Sequence, residues 1–125
     1  MRLQTHLRFT ASSNQGDRRY MEDVFHYHFE TKNAESTEIL FGFFAIFDGH
    51  GGSEAAKFAK ERLLKEITTR DGFWTDDDNQ ICNAIRDGFL SAHAAMWDEI
   101  CKWIEKLYRY PTFLSIHVHS APFDQ

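Results

Sequence analysis

The nine residues from Ile39 to Phe47 are apolar, interrupted only by Gly42, and Asp48-Gly49-His50-Gly51-Gly52 follows at once. A membrane-spanning helix needs about 20 residues, so this run is too short to be one. Apolar on alternate and intervening positions alike, Leu40 to Phe47 reads as a central strand buried on both faces. From Ser53 the period changes from two to 3.6, with Ala56, Ala59, Leu63 and Ile67 on one face of a helix. A strand, a glycine turn and a helix in that order hold Asp48 rigidly at a strand end, where a carboxylate can serve a metal site.

Upstream, Leu3 to Thr10 alternates and leads into the turn-rich segment Ser12 to Asp17, which predicts a strand followed by a loop. Val24 to Phe29 predicts a second strand, with Val24, His26 and His28 on one side and Phe25, Tyr27 and Phe29 on the other. The polar stretch Thr31 to Glu38 has the length of a hairpin loop. Downstream, Arg70-Asp71-Gly72 breaks the first helix, and Asp76-Asp77-Asp78 complements the positive end of a second. Ile81, Ile85, Phe89, Ala92, Met96, Ile100, Trp103 and Leu107 form the apolar stripe of this long helix, which is expected to end near Tyr110, before Pro111. The alternation Ser115 to His119 suits an edge strand or a disordered end. Three strands then two helices, joined by hairpin-length links, imply an α+β layer rather than a parallel βαβ array.

Composition narrows the functions. Lys+Arg 14 against Asp+Glu 19 leaves a formal net charge of −5, which argues against a nucleic-acid partner. With no apolar run of spanning length, no membrane partner is expected, and the absence of a leader-like hydrophobic region at MRLQTHLRFT points to an intracellular protein, cytoplasmic or nuclear. Cys82 and Cys101 sit on the same predicted helix, roughly 28 Å apart, too far to pair. An aromatic content of 15%, with Phe 12, calls for something to cover those rings.

Two segments carry chemistry. The Asp48 turn is not a dinucleotide fingerprint, since Glu54 stands where the last glycine would be, and no Gly-Lys-Ser/Thr follows it. Its glycines instead permit close approach, so that the Gly49 carbonyl and Asp48 can face a hard cation. Arg18 precedes the Glu22-Asp23 pair by four residues: guanidinium grips phosphate in two-pronged fashion, and adjacent carboxylates hold Mg²⁺ or Mn²⁺. Were the second and third strands neighbours, Glu22 and Asp23 would lie near Asp48. Plainer readings stand beside these: an ordinary strand-to-helix turn at Asp48, a solvated loop charge at Arg19, an edge charge at Glu22. His26 with His28, and His117 with His119, each share a strand face as zinc ligands do, but neither pair has the further ligands a closed site requires.

RRYMED, FFAIFDGHGG and the helix beginning SEAAKFA together resemble the amino-terminal part of the metal-dependent PPM-type, or type 2C, serine/threonine protein phosphatases. The helix AIRDGFLSAHAAMWDEI is similar to the 1D, delta-type, subfamily, and the likeness runs from about Leu7 to about Trp103. The resemblance implies a four-layer α-β-β-α sandwich of mainly antiparallel sheets with a binuclear Mg²⁺ or Mn²⁺ centre. It implies that Asp48 bridges the metals, Gly49 lends its carbonyl, and Glu22 and Asp23 bind directly or through water. It further implies that Arg18 holds the substrate phosphate and His50 protonates the leaving serine or threonine oxygen of a phosphoprotein substrate.

The family's remaining metal-binding aspartates lie in later strands that have no counterpart here, where YRYPTFLSIHVHSAPFDQ stands instead. The expectation is therefore a partial phosphatase domain over 1–110 with a divergent tail over 111–125: a truncated gene product, a fragment, or an alternative transcript with a divergent end. Two functions follow: hydrolysis of phosphoserine and phosphothreonine by a metal-activated water, or a catalytically inactive module that binds or competes. Self-association through exposed core surfaces, carried by the apolar stripe of the long helix, is a third expectation, and strands built for burial without their covering layers imply poor stability and aggregation.

Overall fold

The structure, a computed structural model, describes residues 7–104 and 114–118. Its elements run β1 (Val24–Thr31), β2 (Ile39–Gly49), α1 (Glu54–Thr68), a 3₁₀ turn (Asp71–Trp74), α2 (Asp78–Ile104) and β3 (Leu114–Val118). The fold class is α+β, as expected, with one antiparallel sheet in the order β1-β2-β3. The β1–β2 register runs from Val24↔Phe47 to Glu30↔Phe41, then slips at Thr31↔Ile39.

Of the first expected strand, Leu3 to Thr10, the described part, Leu7 to Thr10, is irregular, and residues 1–6 lie outside the described part. Phe9 instead lies across one face of the hairpin, with its ring 4.7 Å from Tyr27 and 4.9 Å from Phe44. Those ring contacts replace a strand ladder. The second correction concerns β2, expected to be buried on both faces. Phe43, Ala45 and Phe47 are buried, whereas Leu40 and Ile46 are 49% and 48% exposed. The helices cover only one face of the sheet, so alternate residues of the apolar run meet different surroundings. The same asymmetry leaves Phe25 and Tyr27 exposed and turns His26 and His28 toward α1.

α1 buries Ala55, Ala56, Ala59, Leu63 and Ile67, which include the whole stripe read from the sequence. It lies against the sheet, and α2 lies against α1. The α1–α2 crossing is close because Gly88 has no side chain: a Cβ there would stand 2.5 Å from Ile67 Cγ1. Ala92 and Met96 of α2 complete the core, with Ile85, Phe89 and Ile100 at its border. Arg70 ties the intervening turn down, its Nη2 donating to the Asp87 carbonyl at 3.0 Å and to Ser91 Oγ at 2.6 Å. The start of α2 is capped by Asp77, whose Oδ1 accepts the backbone N–H of Asn79 at 2.8 Å and of Gln80 at 3.4 Å. Hydrogen bonds from the Gln80 side chain and from these two amides hold the Asp77 carboxyl below the usual carboxylate range. The expected end of the long helix near Tyr110 lies outside the described residues; Ile104 is the last described residue of α2.

A carboxylate turn at the end of the central strand

The candidate site is built where β2 meets α1. Phe47 is fully buried and anchors the strand, so Asp48 emerges from a fixed point. Beyond it Gly51 and Gly52 take φ of 71° and 126°, backbone that side-chain-bearing residues avoid. The reversal aims the chain into α1, whose first turn begins with the Lys57 N–H bonded to the Ser53 carbonyl at 2.9 Å.

The sheet brings the two sequence segments together. Because Val24 pairs with Phe47, the residues just before β1 run beside the turn that follows β2. Glu22 closes the junction: its Oε1 accepts the Gly52 N–H at 3.0 Å across thirty residues of sequence. Its backbone presses on Gly49, where a Cβ would stand 3.1 Å from the Glu22 carbonyl carbon and closer still to the oxygen. Gly49 is therefore required for this approach, a reason independent of its conformational freedom. Asp23 lines an open groove of about 470 Å³ with Phe9, Ser12, Asn14, Phe25 and Ile46. His50 leans back on Asp48, Nδ1 to Oδ1 at 3.2 Å, with the imidazole 56% and the carboxylate 37% exposed.

Arg18 stands apart from this contact set. It sits in an exposed turn in which Gln15 Nε2 donates to the Arg18 carbonyl at 2.7 Å, and its guanidinium forms no ion pair among the described residues. The donors at the turn are hard oxygens, the kind that suit Mg²⁺ or Mn²⁺. Among the described residues no three acidic, histidine or cysteine side chains converge as metal ligands, and one Glu22 oxygen is engaged with Gly52.

The histidine pair of β1 divides between two environments. His28 Nε2 meets Glu30 Oε2 at 2.7 Å, while His26 Nδ1 is buried without a hydrogen-bond partner. Desolvation, then Lys60 and His28, push the His26 pKa below 6.5. Of the other pair, His119 lies outside the described residues and His117 is described only as backbone in β3. Sequence reasoning missed the bond between Glu22 and Gly52. A carboxylate thirty positions ahead of a Gly-Gly turn signals it only once the strands are known to pair.

The turn after β2 and the acidic pair before β1 thus form one cluster of carboxylate and carbonyl oxygens, and comparison with known proteins gives it a family. The family described as Protein phosphatase 2C matches residues 7–102, and the chain belongs to it. Among its relatives, Protein phosphatase 2C homolog 2 of Schizosaccharomyces pombe is 32% identical over 93 residues, 74% of this chain and 24% of that protein. Human Protein phosphatase 1A is 39% identical over 88 residues, 67% of this chain and 22% of that one. Probable protein phosphatase 2C 58 of Arabidopsis thaliana is 46% identical over 57 residues, 46% of this chain and 19% of its own length. The chain thus spans about a quarter or less of these relatives.

Proposed function

We propose that this chain carries one end of the active site of a metal-dependent protein phosphatase acting on phosphoserine and phosphothreonine. The observation that carries the reading is the Glu22 to Gly52 hydrogen bond, which joins the Arg18–Asp23 segment to the Asp48 turn. Asp48, the Gly49 carbonyl, Asp23 and the remaining oxygen of Glu22 are the groups that would hold Mg²⁺ or Mn²⁺. Such a cation, when bound, supplies a Lewis acid that polarises the phosphoryl group and acidifies water. His50, exposed and 3.2 Å from Asp48, would give a proton to the departing serine or threonine oxygen. Arg18, unpaired and on the surface, is free to meet a substrate phosphate. The outer face of the sheet, where Phe25, Tyr27 and Ile46 are exposed, accords with a four-layer sandwich in the whole domain, and the likeness of the AIRDGFLSAHAAMWDEI helix to the delta-type subfamily extends the proposal to that subfamily.

A second reading has its own observation: with no three metal-ligating side chains converging among the described residues, the chain acts as an inactive binding module. Hydrolysis of p-nitrophenyl phosphate with Mn²⁺ or Mg²⁺, with EDTA, and by Asp48→Ala separates the two. Turnover that requires metal and is lost in Asp48→Ala supports the enzyme. Absence of turnover above that control, in protein shown by circular dichroism to be folded, supports the module.

A further inference from the structure

We propose that residues 114–118 are a positioning element for the Asp48 turn, an edge strand that holds the end of β2 on the side β1 does not reach. The register is the evidence. The β1 ladder stops at Val24↔Phe47, one residue short of Asp48. On its other edge β2 pairs with β3 through Ala45↔Val118, Ile46↔His117, Phe47↔Ile116, Asp48↔Ser115 and Gly49↔Leu114. Among the described residues, β3 is therefore the only strand opposite Asp48 and Gly49. Backbone groups of a strand need partners, and an unpaired strand end frays. The carboxylate and the carbonyl that matter most to the site sit on that end.

The segment also lies beyond the residues matched by the family, which end at 102. The chain thus supplies the neighbour of its site from sequence that is not part of the family match. The proposal deepens the reading of the Asp48 turn as the functional site, but its test measures backbone protection and is independent of turnover.

Native-state amide exchange of the full chain, followed by NMR, tests it. In the unaltered protein, the amides within 45–49 that face away from β1 are expected to be as protected as those that face it. Ser115→Pro combined with Ile116→Pro removes two successive donors of β3, so one ladder bond is lost whichever way the strand faces. Exchange at the β3-facing amides of 45–49 then rises on the order of 100-fold or more, while amides of α1 and α2 around Leu63 and Ala92 stay protected. Ile116→Val keeps the donor and the strand preference and leaves exchange unchanged. Unchanged exchange in the proline variant overturns the proposal. So does exchange at Asp48 and Gly49 in the unaltered chain as free as in loop 32–38, a comparison that decides the matter even if the proline variant unfolds.

Discussion

Gly49→Ala tests how the two halves of the site are joined. Gly49 is absent from the glycines with positive φ, which are Gly16, Gly51 and Gly52, so an alanine meets no backbone strain there. What it meets is Glu22: the added methyl would lie 3.1 Å from the carbonyl carbon and from Cβ of Glu22, and well inside contact of the carbonyl oxygen. The obstacle is backbone, which no rotamer change can move aside. The segment before β1 must retreat by about 0.5 Å or more, in an interior that tolerates little displacement. Overpacking of this kind costs about 1–3 kcal/mol. Because the obstacle cannot swing away, about 2 kcal/mol is expected, which lowers the urea midpoint by about 1 M at an ordinary m-value. The retreat also pulls Glu22 from Gly52, so the Gly52 amide should exchange faster. Gly16→Ala is the contrast: φ is 61° with nothing within 4 Å, so its cost is conformational, about 1 kcal/mol, and the Gly52 amide is unmoved. If Gly49→Ala keeps its midpoint within about 0.3 M and leaves the Gly52 amide as protected as before, the reasoning is refuted.

Neighbouring residues of β2 should respond in opposite ways. Phe47→Ala, at 0% exposure, is expected to cost about 3–5 kcal/mol, whereas Ile46→Thr, at 48% exposure, should stay within about 0.5 kcal/mol in the same urea titration. Arg70→Ala removes the charge-assisted bonds to the Asp87 carbonyl and Ser91 Oγ, for a loss of about 1.5–3 kcal/mol by urea unfolding. His26 gives the chain a pH dependence of defined sign. Its folded pKa is depressed below 6.5 by desolvation, Lys60 and His28, so the unfolded chain takes up the proton first. Stability is full above 6.5 and falls as the pH drops below that value toward the folded pKa. The fall in urea midpoint from about pH 7.5 to about pH 5.5 should shrink in His26→Gln; an unchanged slope would show that His26 does not carry it.

Local signals decided much of this protein. The α1 stripe of Ala56, Ala59, Leu63 and Ile67 is buried as its spacing required, because a helix of period 3.6 has one face to give to a core. Asp77 caps α2 as an aspartate before an apolar repeat should. The Asp48-Gly-His-Gly-Gly turn and the Arg18–Asp23 segment stood out in the sequence as candidate chemistry, since hard oxygens, a guanidinium and glycines are a small vocabulary.

Other features depended on contacts between distant segments. A run such as Leu40 to Phe47 does not say which of its faces will be covered; that depends on where the helices pass, and here they pass on one side only. Leu7 to Thr10 alternates like a strand, yet Phe9 lies against the rings of Tyr27 and Phe44, which are distant from it in sequence. Most of all, the bond from Gly52 to Glu22, the fit of Gly49 against the Glu22 backbone and the pairing of Asp48 opposite Ser115 join positions far apart along the chain. Propensity and periodicity act over a few residues, and they determined the parts of this site. Its assembly was decided by the register of three strands, which is set only when the whole sheet forms.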